Sequence, residues 1–78
     1  MSRILGHPIV MITWIDSSSL YGWNPLEAKM DLKVTSIGIV IHSDKERVVL
    51  TTTLAHDTMT PHSQIHIPRK AISKMRYL

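Results

Sequence analysis

One run of twelve residues, Leu32–Ser43 (LKVTSIGIVIHS), constrains the fold most. Val34, Thr35, Ile37, Ile39, Val40 and Ile41 are β-branched, which suits a pleated strand and disfavours a helix. Gly38 interrupts the run, and a glycine inside a strand marks a bulge or a sharp bend. A barrel of few strands has to turn such a corner, and a residue without a Cβ fits the crowded bend. No segment keeps a 3.6-residue apolar period for ten residues, so long helices are not expected.

The rest of the chain supports short strands. Residues 8–16 (PIVMITWID) read as a first strand and Leu32–Ser43 as a second. Residues 17–25 are dense in turn formers, and residues 25–30 suit one helical turn capped by Asn24. Residues 44–46 make a polar turn into a third strand at 47–54, giving a hairpin. Residues 55–63 read as a loop, 64–68 as a fourth strand, 69–71 as a tight link and 72–78 as a fifth strand. The expected fold is all-β: a small five-stranded SH3-like (Sm-like) barrel, with a strongly bent second strand and a one-turn link before the last. An OB-fold is the alternative, but AHDTMTPHS does not comfortably hold the helix it wants between strands three and four.

With 78 residues, a single domain has a marginal core. There are 0 cysteines, so neither disulfides nor cysteine-ligated zinc can staple it. Burial between subunits is the remaining support, and a homo-oligomer is expected. Residues 4–15 are apolar but broken by Gly6, His7 and Pro8, and are shorter than the roughly 20 residues a spanning helix needs. The expected location is therefore the cytoplasm, with no membrane partner. The formal net charge is +3, unevenly spread. From Thr58 onward stand Arg69, Lys70, Lys74 and Arg76 with no acid, so that end attracts anions or simply carries a solvated basic face.

Enzyme chemistry has little footing. Asp16–Ser17 lacks the glycine-flanked elbow of a nucleophilic serine, and Asp and Ser more often close turns through backbone N–H groups. His62 and His66, read as one extended segment, stand about 13 Å apart on one face, too far to share a metal. The acids are scattered and the 3 glycines isolated, so no phosphate-cradling loop is present and no cofactor is expected.

Binding is better supported. Trp14 reads as core, while Tyr21 and Trp23 fall in the loop, where they either cap the barrel or stack on a ligand. If that loop and the tight link share one end of the barrel, Asp16, Ser17, Tyr21 and Trp23 meet Arg69 and Lys70. This set provides flat rings, hydroxyl donors and a phosphate-matched pair of bases. An Asp16–Arg69 ion pair pinning two loops is the structural alternative.

The pieces W-x-D-S (Trp14, Asp16, Ser17), G-W (Gly22, Trp23), S-x-G (Ser36, Gly38), V-V-L (Val48–Leu50), I-P-R-K with Ile72, and R-x-L (Arg76, Leu78) resemble small uncharacterised phage and prophage proteins. The resemblance covers residues 9–78. It implies a mobile-element origin and a compact β-barrel, but no activity and no catalytic residue. Short phage genes often encode binders that act by stoichiometry, some of them small Sm-like barrels that sequester nucleotide immune signals. The expectation is a non-catalytic, oligomeric sponge for an anionic nucleotide, working inside an infected or lysogenic bacterium. A single-stranded RNA or DNA binder, and a protein adaptor or virion part, are the alternatives.

Overall fold

The computed structural model describes residues 1–16 and 32–78. These residues form an all-β chain: β1 (Arg3–Ile4), β2 (His7–Asp16), β3 (Leu32–Ser43), β4 (Arg47–Thr51), β5 (Thr53–Leu54), β6 (Pro61–His62), β7 (Ile65–Pro68) and β8 (Ile72–Tyr77). One 3-10 turn, Arg69–Ala71, links β7 to β8. Every pairing is antiparallel. The main sheet has the order β8–β2–β3–β4–β7 with β1 also on β2, and β5–β6 form a separate ribbon.

β3 spans the residues predicted, and β2, β4, β7 and β8 differ from prediction at one end. The short strands β1, β5 and β6 correct the count of five. β1 turns back into β2 through Leu5 and Gly6, with φ of 49° and 83°. Two positive φ values match the twist of a hairpin, though a leucine there costs about 1–2 kcal/mol. The expected third strand breaks after Thr51, which is 1% exposed. The Thr51 hydroxyl donates between the carbonyls of Thr53 and His62, tying β4 to the ribbon. His62 and His66 are therefore not on one strand. They lie on β6 and β7, separated by Ser63 at φ 57°.

Pairing register shows why the sheet curls. Pro68 pairs with Arg47, at the Ser43 end of β3, while Ile72 pairs with Trp14, itself opposite Val34. On a flat sheet Val34 and Ser43 would be about 30 Å apart. The steps from Pro68 to Ile72 reach at most about 14 Å. β3 must bend, and its register with β4 shifts between Val40 and His42. The shift falls just past the predicted bend at Gly38. A Cβ on Gly38 would lie 3.1 Å from both Leu50 Cβ and the Thr51 carbonyl oxygen. Among the described residues no pairing joins β7 to β8.

The bend brings distant strands face to face. Val10, Ile12 and Trp14 of β2 pack in one cluster with Val40, Val48, Leu50 and Ile67, flanked by Val34, Ala71, Ile72 and Met75. Trp14 is core, as its sequence context suggests, and its indole N–H donates to Ser36 Oγ at 3.0 Å. The two ends of the described chain meet at Ile9, whose N–H donates to the Ser2 carbonyl and whose carbonyl accepts the Leu78 N–H. No helix among the described residues is long and apolar enough to cross a membrane.

Candidate anion-binding site at the β7–β8 link

Pro68 ends β7, since it has no N–H to extend the ladder, and the following 3-10 turn presents Arg69 and Lys70. Two adjoining hollows flank this turn. One, of about 380 Å3, is lined by Lys45, Glu46, Pro68, Arg69 and Lys70. The other, of about 300 Å3, is lined by Trp14, Ile15, Asp16, His66, Pro68, Lys70 and Ala71. Pro68 and Lys70 border both. The curl of the sheet thus brings Asp16, at the end of β2, to the same hollow as Lys70, as the sequence suggested. Ser17, Tyr21 and Trp23 lie outside the described residues.

Arg69 is directed to the β3–β4 turn. Its Nε donates to the Asp44 carbonyl at 2.7 Å, its Nη2 to Ser43 Oγ, and its backbone N–H to the Glu46 carbonyl at 2.8 Å. The loop-pinning role that the sequence gave to an Asp16–Arg69 pair is thus served by Arg69 and this turn. A guanidinium held in this way is a preorganised positive edge rather than a swinging clamp.

The turn is itself tightly organised. Asp44 Oδ1 accepts the N–H groups of Glu46 and Arg47, at 2.8 and 2.9 Å, and Oδ2 lies 2.7 Å from His42 Nε2. The His42 hydrogen bond, then the two backbone N–H groups, hold the Asp44 carboxyl well below the usual carboxylate range. A depressed pKa contributes stability that is complete above the ordinary aspartate value of 3.8 and is lost as pH falls below it toward the folded value. Thermal melts at descending pH should therefore fall more steeply for the native protein than for Asp44→Asn, which has no charge to lose. Parallel acid limbs for the two proteins would contradict this assignment.

Sequence reading missed Lys45 and His66 as lining residues. The signal for Lys45 was available in principle, because pairing strand four beside strand three puts the 44–46 turn next to the 69–71 link. Among the described residues no three His, Cys, Asp or Glu side chains gather where they could hold a metal.

No protein-family model matches the sequence, no curated protein is detectably similar to it, and no solved structure is detectably similar to its fold.

Proposed function

We propose that this chain is a non-catalytic binding module for an anionic, nucleotide-sized ligand held astride Lys70. The observation that carries the reading is the pair of hollows sharing that side chain. Lys45, Arg69 and Lys70 outnumber Glu46 around one, and Asp16 and Trp14 are among the residues that line the other. Phosphate occupies the cationic hollow, where Lys45 and Lys70 approach it beside the fixed Arg69 edge. A ring or sugar occupies the second, where Asp16 accepts its hydroxyl or amino protons. Tyr21 and Trp23, together with the Ser17 hydroxyl, follow Asp16 in sequence and supply stacking faces and a further donor in this proposal.

The strand order β8–β2–β3–β4–β7 and the one-turn link support an SH3-like, Sm-like barrel type. Together with the motif resemblance, they support a phage-type protein that assembles into a homo-oligomer and sequesters a nucleotide immune signal by stoichiometry.

Calorimetric titration with cyclic di- and trinucleotides and ADP-ribose derivatives tests the proposal. One class should give saturable heat, the ligand should be recovered chemically unchanged, and Lys70→Glu should weaken binding at least about tenfold, roughly 1.4 kcal/mol. Absence of both heat and thermal shift across the panel would overturn it.

A further inference from the structure

The outer face of the sheet carries a second basic surface, whose cations are not those of the Lys70 hollows. Burial of Val10, Ile12 and Trp14 fixes the inner face of β2, so Met11, Thr13 and Ile15 point outward. Register then sets their neighbours. Met11 lies between Arg76 and Ile37, Thr13 lies between Lys74 and Thr35, and Ile15 lies beside Lys33. Thr13 and Thr35 share a 3.1 Å hydroxyl–hydroxyl hydrogen bond, which confirms that they occupy one face.

This face has cations on both borders and none of the described acids. Lys33, Lys74 and Arg76 are exposed, and no carboxylate pairs with any of them among the described residues. Asp16, at the end of β2, falls on the inner parity with Trp14. Between the cations runs a lane of hydroxyl and apolar groups, in which Ile37 is 59% exposed.

We infer that the outer face of β8–β2–β3 binds single-stranded nucleic acid. Lys74 and Arg76 stand about 7 Å apart along β8, and Lys33, two strand spacings across and displaced along the strands to the level of Ile15, stands about 12 Å from Lys74 and about 17 Å from Arg76. Cations spread in this way cannot converge on one phosphate, but they suit successive phosphates of a strand. Ile37 and Met11 offer an apolar bed for base faces, and the Thr13–Thr35 pair offers hydrogen bonds to base edges or sugars. A three-stranded face is too broad to enter a duplex groove, which admits a helix or a two-stranded ribbon.

Fluorescence anisotropy with labelled 15-mer oligo-dT and oligo-rU tests this on the full chain. Binding should weaken with salt, with a log–log slope near −2 for three phosphate contacts at about −0.7 each. Lys74→Gln/Arg76→Gln should lower affinity at least about tenfold at low salt and cut the slope to about −0.7. Both substitutions are on exposed side chains, and an unchanged thermal melt confirms that the fold is retained. Lys70→Glu should leave most of this binding in place, so loss of the nucleotide site and loss of this surface are separable. No binding of either oligomer at low salt overturns the inference. So does equal binding of a duplex or of heparin, or affinity indifferent to Lys74 and Arg76.

Discussion

Replacing Trp14 with alanine should cost about 3–5 kcal/mol and lower the melting temperature by more than about 12 °C. The whole stability of a chain this size is of order 4–12 kcal/mol, so the variant should be largely unfolded under mild urea. Two effects add. The indole is 6% exposed and packs in the cluster that joins β2 to β4 and β7, so its removal leaves a cavity where the curled halves of the sheet meet. It also strips Ser36 Oγ of its donor. Trp14→Phe separates these effects: it keeps most of the packing, loses the hydrogen bond, and should cost about 1–2 kcal/mol. Urea unfolding followed by far-UV circular dichroism gives both numbers. A Trp14→Ala protein as stable as Trp14→Phe would mean that the cluster does not hold the sheet in its curl.

Much of the scaffold was legible because its signals are local. A run of apolar and β-branched residues ending in a polar cluster marks β2, β-branched residues mark β3, and the polar 44–46 stretch marks the turn into β4. The hidden parts depend on partners remote in sequence or on conformations that the residue type does not advertise. Leu5 gives no hint that it will take a positive φ, and Ser63 gives none that it will separate two histidines onto different strands. Thr51 looks like any strand threonine until β6 supplies the His62 carbonyl that ends β4.

The candidate site divides in the same way. That Asp16 and Lys70 could meet was legible only on the condition that the end of strand one and the one-turn link share one end, and the two residues do line one hollow. The attachment of Arg69 to the Asp44 carbonyl was not, because a main-chain acceptor leaves no mark in the sequence. Ser17, Tyr21 and Trp23 belong to residues 17–31, so their part in the site rests on the sequence alone.

Substituting Gly38 with valine should cost about 3 kcal/mol, and alanine about 1–2. The expected loss comes from space, not from backbone conformation. The first added carbon would sit 3.1 Å from Leu50 Cβ and 3.1 Å from the Thr51 carbonyl oxygen. Neither neighbour can swing aside, because one is fixed to the main chain and the other belongs to it. Both lie in β4, where Leu50 and Thr51 are each 1% exposed. Alanine recovers part of the cost by reducing the freedom of the unfolded chain, typically about 0.4–1 kcal/mol. Valine adds two methyl groups that have no such offset at this bend. Gly6→Ala is the control. Gly6 has nothing within 4 Å of its added carbon but a φ of 83°, so the change should cost about 1–2 kcal/mol and fray only the β1 hairpin. The two variants should then differ in kind. Gly38→Val should weaken hydrogen-exchange protection in β3, β4 and β7 together and loosen the Lys70 hollows, because the bend sets how closely β7 approaches β2. Gly6→Ala should leave those strands protected. Equal and local effects from both would show that the curl of the sheet does not depend on the empty space at Gly38.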